Sequence, residues 1–325
     1  MSRKVGWGLA FLIGIGGARA QAPKPKATLT GHESSIIALE FSPDGKTLAS
    51  VEQENHGHPV KLWHADDGRS LADLDHKSFY RGVSLAFSPD GKTLAVVDRC
   101  GQTVVWDMAK RVVKARLHGI ASTVPALSFT ADAKTLAAAG QGGQLLFWDT
   151  AHWDEPTDVE TGARHVTCAA FARDGSVVAL ATKAHTITLL DLATDKERRV
   201  LEGHIEITSL AFSPNGKMLA SGGHQVLMLW DATTGKALHK IQAHEQSQIF
   251  AVAFSPDGRL LASSSRKGAV KVWETATGNL RAAFEGHDAA VHALAFSRDG
   301  KTLASGAADG NIKLWDLTPL RRTVE

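Results

Sequence analysis

Short apolar runs recur along the chain, each closed by a phenylalanine: Phe41, Phe87, Phe129, Phe171, Phe212, Phe254 and Phe296, spaced 41 to 46 residues apart. A second apolar run follows each one. Then comes a stretch in which polar and apolar residues alternate, ending in an aromatic and an acid: Trp106-Asp107, Trp148-Asp149, Trp230-Asp231, Trp273-Glu274 and Trp315-Asp316. Trp63-His64 and Leu190-Asp191 fill the two remaining slots imperfectly. Period-two alternation over five or six residues predicts strands. A constant period of about 42 residues predicts one supersecondary unit copied seven times.

The last copy shows what one unit encodes. Residues 291–296 are strand-like, Ser297-Arg298-Asp299-Gly300 is a turn, and residues 302–305 resume the apolar pattern. Ala308-Asp309-Gly310 turns again, and residues 311–315 alternate with period two. The first turn has a mechanism in Ser42-Pro43-Asp44-Gly45, Ser88-Pro89-Asp90-Gly91 and Ser255-Pro256-Asp257-Gly258, with Asn215 replacing the aspartate in residues 213–216. Proline presets φ at the second position, Asp or Asn suits the third, and glycine takes the left-handed φ that ends the turn. Thr130-Ala131-Asp132-Ala133 departs from this chemistry and predicts a looser hairpin in the third copy. A further turn and a fourth strand follow the Trp-Asp of each copy before the last, as in residues 232–240. Four antiparallel strands in this length make one propeller blade.

With Gly31-His32, Gly203-His204 and Gly286-His287 ahead of the strands, these motifs resemble the WD40-repeat family over residues 27–318, about nine-tenths of the chain. The resemblance implies an all-β, seven-bladed β-propeller of four-stranded antiparallel blades. The seventh copy has only three strands of its own, and Ala27-Thr28-Leu29-Thr30 is an orphan strand. In this family an N-terminal strand completes the last blade, which removes the open sheet edges at the seam.

Composition adds a compartment. Ser2-Arg3-Lys4 is basic, residues 5–17 are apolar but too short to span a bilayer, and Ala18-Arg19-Ala20 has small residues where signal peptidase reads. Residues 1–20 are therefore expected to be a secretory signal peptide, residues 21–26 a linker and residues 319–325 a tail, so that the mature protein is periplasmic or extracellular. Without Arg3, Lys4 and Arg19 the chain carries 33 basic and 34 acidic side chains. That balance leaves no field to steer it onto nucleic acid or an anionic membrane, and no membrane insertion is expected after cleavage. Cys100 and Cys168 fall in different blades and are expected to stay unpaired.

His287, Ser305 and Asp309 have the composition of a hydrolase triad. No Gly-x-Ser-x-Gly elbow exposes the serine. The family resemblance implies instead a structural tetrad in which Asp309 orients His287, His287 meets Ser305, and Ser305 accepts from Trp315. The other copies keep parts of it: His32, Ser50 and Trp63, with Asn55 in the acid's place; His204, Ser221 and Trp230; His244, Ser263 and Trp273, with Lys267 at the acid position. The second and third copies have Val96 and Ala138 for the serine, and the fourth aligns Glu160 and Leu190 where histidine and tryptophan belong. Blade 4 is therefore expected to be the weakest and blade 7 the most tightly specified. His56, His58 and His64 include a His-x-His pair but fix no third ligand, and neither a metal nor a cofactor is expected.

Repeats hold the scaffold constant and vary the loops. The resemblance implies a partner on the face made by the loops entering the first strands and the loops between second and third strands. The residues implied are Glu33, Lys77, Phe79, Tyr80, Arg81, Arg99, Glu206, Gln246, Lys267 and Asp288. Phe79-Tyr80-Arg81 is the leading local candidate, because Tyr and Arg are favoured interface anchors. Trp153, on the opposite face, is either a second contact or a cover for its own blade. The main expectation is a monomeric, non-enzymatic platform for a protein or peptide. The alternatives are a small-molecule or metal site at the channel mouth, with hydrolase or lyase activity, built from pairs such as His185 and His224, and a structural envelope component.

Overall fold

The computed structural model of the protein describes residues 24–53, 60–74, 82–119, 126–194 and 196–321. The expected signal peptide, Asn55, the pair His56 and His58, and the group Lys77, Phe79, Tyr80 and Arg81 lie outside the described residues. The described residues form seven four-stranded antiparallel sheets. Blade 1 runs Ile36–Phe41, Thr47–Glu52, Val60–His64 and Ser70–Leu74 in sheet order, and the five blades after it repeat that meander. Blade 7 takes its first three strands, Val291–Phe296, Thr302–Ala307 and Ile312–Asp316, from the end of the chain. Its fourth is Ala27–Leu29, paired antiparallel with Ala27 opposite Leu314 and Leu29 opposite Ile312. The orphan strand closes the ring as its sequence implied.

The first strands lie side by side around the axis. The core is correspondingly divided. Seven apolar clusters each join two adjacent blades, such as Phe41 and Trp63 with Ala293 and Ala295 across the seam, or Phe129 and Trp148 with Ala86 and Val97. Each fully buried Leu, Val or Phe in such a wedge contributes about 1.5–3 kcal/mol. No blade can bury its faces alone, so the ring is the folding unit. Bulges recur where the strand direction must change: at the start of the first strand (Ile36/Ala38, Val291/Ala293) and at the tryptophan (Leu62/Trp63, Val272/Trp273). They add the local twist that fans the strands outward.

The turn chemistry works as read. Ser42 donates to Asp44 Oδ1 at 2.6 Å, Asp44 accepts from Lys46 N at 3.0 Å, and Gly45 sits at φ 73°. The third copy corrects the expectation of a looser hairpin. Thr130 donates to Asp132 at 2.7 Å, Lys134 N reaches the same oxygen at 3.0 Å, and Ala133 N bonds Thr130 O at 2.9 Å. Threonine replaces serine without loss of the bond, Ala131 stands where four sister turns have proline, and the one strained backbone position is Ala133, held at φ 59° where glycine is preferred. Thr318–Arg321 forms one helical turn whose Leu320 packs against the wedge between blades 6 and 7. No helix among the described residues is long and apolar enough to cross a membrane.

Candidate functional site

The side chains that resemble chemistry are internal. Trp315 donates its indole N–H to Ser305 Oγ at 2.8 Å, and His287 Nε2 lies 2.7 Å from the same oxygen. Ser305 is fully buried and His287 nearly so. The fourth member stands apart. Asp309 Oδ2 is 3.9 Å from His287 Nδ1, too long for a hydrogen bond, and Nδ1 is buried without a partner. Asp309 instead caps its own turn, accepting from Asn311 N at 2.9 Å.

Blade 1 makes the complete chain, with an acid the repeat alignment does not indicate. Trp63 donates to Ser50 Oγ at 2.8 Å, His32 Nε2 lies 2.5 Å from that oxygen, and His32 Nδ1 lies 3.2 Å from Glu52 Oε2. Glu52 ends the second strand, so it approaches from a strand terminus rather than from the loop that holds Asp309. Its carboxylate also accepts from Glu33 N and Ser34 N. Burial pushes Glu52 up, yet the bonds from His32 and these two amides outweigh it and hold the carboxyl below its usual range.

Blade 5 solves the same problem with backbone. His204 turns its ring, so that Nδ1 meets Ser221 Oγ at 2.7 Å and Nε2 donates to Val226 O at 3.1 Å, while Trp230 donates to Ser221 at 2.8 Å. In blade 6 His244 and Trp273 both reach Ser263 at 2.9 Å. Lys267 takes no part in this lock and is exposed. Lys271 instead extends over the Trp273 ring and donates to Ala243 O at 2.6 Å. Burial drives His204, His244 and His287 down to about 4, so all three are neutral at physiological pH. Blade 4 has no such lock. Leu190 is buried, and Glu160 is exposed at the end of the outer strand of blade 3, opposite Gln144.

These geometries leave none of the four lock serines exposed as a nucleophile. Each lock serine is buried and bonded on both sides. Burial pushes the Cys168 thiol up to about 12, and Cys168 and Cys100 are both free thiols. Among the described residues no group of three His, Cys, Asp or Glu side chains could hold a metal. His185 and His224 each have a partner other than one another: His185 Nδ1 accepts from Glu206 N at 3.1 Å, and His224 lies 3.2 Å from the Gln225 amide.

The loop face is the variable surface. Glu33, Arg99, Glu206, Gln246, Lys267 and Asp288 are all exposed on it. Adjacent loops interlock. A Cβ on Gly268, at φ 85° in blade 6, would fall 2.2 Å from the His287 carbonyl oxygen in blade 7, and one on Gly310 would fall 2.8 Å from that of His32. The entry loops of blades 7 and 1 are thus set by their neighbours. In blade 5 the entry loop presents Ile205, 66% exposed, over a hollow of about 280 Å³ bordered by Glu206, His224 and Lys240. Strand patterning does not reveal this isoleucine, which lies outside any strand. Trp153 is no exposed contact point. It packs edge-on against Phe129 with centroids 6.4 Å apart, under the ammonium of Lys114, and so covers blades 2 and 3.

A family model for the WD domain, G-beta repeat, matches residues 23–64, 68–107, 195–231, 235–274 and 278–316, more than half of the chain. The chain is similar to ribosome assembly protein 4 of Chaetomium thermophilum, 42% identical over 48 residues, which is 15% of this chain and 9% of that protein. It is also similar to protein tipD of Dictyostelium discoideum, 32% identical over 223 residues, 66% of this chain and 35% of that protein. The chain therefore spans about a third or less of the length of these curated relatives.

Proposed function

Because this chain belongs to the WD domain, G-beta repeat family, whose propellers commonly serve as protein-interaction scaffolds, we propose that it is an exported, non-enzymatic platform that presents its loop face to a protein or peptide partner. The observation that carries this reading is a division of labour. The imidazoles and hydroxyls that recur from blade to blade are buried in structural hydrogen bonds, whereas the loop-face side chains that differ between blades, such as Glu33, Glu206 and Lys267, are exposed. Ile205 within a charged rim has the make-up of an interface centre, where apolar side chains are fully desolvated and polar groups seal the edge. The near balance of charge after removal of residues 1–20 supports a protein partner over nucleic acid.

Two measurements test the proposal. The wild-type mature protein, immobilised and washed with envelope extract, should retain a defined partner that the double variant Ile205→Asp/Lys267→Glu releases. A change on the opposite face, Lys217→Glu, should leave retention intact. If retention is indifferent to which face is altered, the platform does not lie on the loop face. For export, the protein recovered from the producing cell should begin at Gln21 and lie outside the cytoplasm; a cytoplasmic protein that keeps Met1–Ala20 sequence would refute it.

A further inference from the structure

At the end of the central channel opposite the loop face lies a cavity of about 460 Å³, a size typical of ligand sites. All seven phenylalanines that close the first strands border it. Each also wedges between its own blade and a neighbour, as Phe41 does against Ala293 and Ala295, so the ring of aromatic edges is rigidly held.

Three departures from the seven-fold pattern meet in this cavity. The residue before each phenylalanine is alanine in five copies and Ser128 in another, but Glu40 in blade 1. The second turn position is proline in four copies and Ala131 in another, but Arg173 in blade 4 and Arg298 in blade 7. Glu40, Arg173 and Arg298 all line the cavity, and its lining contains no aspartate and no lysine. Blades 4 and 7 stand three places apart in the ring, so the arginines flank the mouth from opposite sides. The aspartates next to them are engaged by their own turns: Asp174 accepts from Ser176 N and Oγ, and Asp299 from Ser297 Oγ and Lys301 N. Glu40 accepts from Phe87 N at 2.8 Å, and burial, partly offset by that bond, raises its carboxyl to about 8, which leaves it uncharged at neutral pH. Two guanidinium groups over an aromatic, otherwise uncharged floor disfavour a cation and suit an anion with an apolar body.

We infer that this cavity is a binding site distinct from the loop face and takes a small monocarboxylate with an apolar body, its body among the phenylalanine edges and its carboxylate between Arg173 and Arg298. The substitutions that test it are supplied by the repeat itself. Arg173→Pro and Arg298→Pro restore the residue that four sister turns carry, so the variants should fold, with a thermal midpoint close to that of the wild type as the control. Calorimetric titration with 4-phenylbutanoate should show one site per chain. The matched amide, 4-phenylbutanamide, should bind at least about tenfold more weakly, the loss of roughly one charge-assisted bond. The double arginine variant should bind the acid no better than the amide. Absence of acid binding at millimolar concentration, equal affinity for acid and amide, tighter binding of 4-phenylbutylamine, or acid binding that survives the double variant would each overturn the inference.

Discussion

The Glu52 carboxylate lies 3.2 Å from His32 Nδ1, within hydrogen-bonding distance, whereas the aspartate of the blade 7 motif, Asp309, stops 3.9 Å short of His287. Glu52 is almost fully buried, and Asp309 is partly exposed and committed to its turn. Glu52→Gln should therefore destabilise the protein by about 2–3 kcal/mol, because it weakens bonds to an imidazole and two amides in a buried place. Asp309→Asn should cost under about 1 kcal/mol, since the amide oxygen can still cap the turn. Urea denaturation of the two variants checks the order. A larger loss for Asp309→Asn would show that the motif aspartate, rather than Glu52, carries the stronger lock.

Three lock histidines make the fold sensitive to acid. His204, His244 and His287 are held near 4 by burial against an ordinary value of 6.5. The unfolded chain binds these protons first as pH falls, so stability is full above about 6.5 and declines through the window down to about 4. The thermal midpoint should fall steeply between these pH values. His244→Gln should lower the midpoint at neutral pH and flatten the slope below it. A profile that is level from pH 7 to pH 4.5 would contradict the neutral, buried assignment.

Glu40 acts with the opposite sign. Its folded value of about 8 exceeds the ordinary 4.5, so the folded state keeps a proton that the unfolded chain has lost. Stability from this group is greatest below pH 4.5 and is lost progressively as pH rises to about 8, by roughly 3 kcal/mol at neutral pH. Glu40→Gln keeps an acceptor for Phe87 N without the ionisation. It should therefore be more stable than the wild type at pH 8 and lose that advantage near pH 5, as measured by chemical denaturation at both pH values.

The turn at Ala133 stores strain that its sister turns avoid. An alanine at φ 59° costs about 1–2 kcal/mol relative to a relaxed backbone, part of which glycine's greater freedom in the unfolded chain takes back. Ala133→Gly should raise stability by about 0.5–1 kcal/mol. Arg111→Gly, at φ 56° in another tight turn, provides a second instance of the same effect. A destabilised Ala133→Gly protein would mean that the unfolded-state term dominates.

Much of this was legible in the chain because a repeat averages out local ambiguity. The phenylalanine and tryptophan ladders follow from positions that recur, while the closing strand Ala27–Leu29 and the Ser–His–Trp contacts of blades 1, 5, 6 and 7 are what the family resemblance implied. What escaped were features that depart from the repeat frame. Glu52 supplies its acid from a strand end, His204 turns its ring to a carbonyl, and Thr130 rebuilds a turn that looked broken. Each is a local substitute for a motif residue. A substitute can be recognised only when its distance to the group it serves is known.

The family resemblance implied that the orphan strand closes the ring, but the sequence by itself determined the number of repeats and the order of strands within each. These follow from hydrophobic periodicity and turn chemistry, which act over a few residues and repeat without interruption. Only the tertiary structure decided which polar groups meet. Glu40, Arg173 and Arg298 are 125 or more residues apart between successive members, yet they border one cavity because closure brings every first strand to the same axis. Side chains so distant in the chain acquire a common environment through ring geometry alone, and no local pattern encodes it.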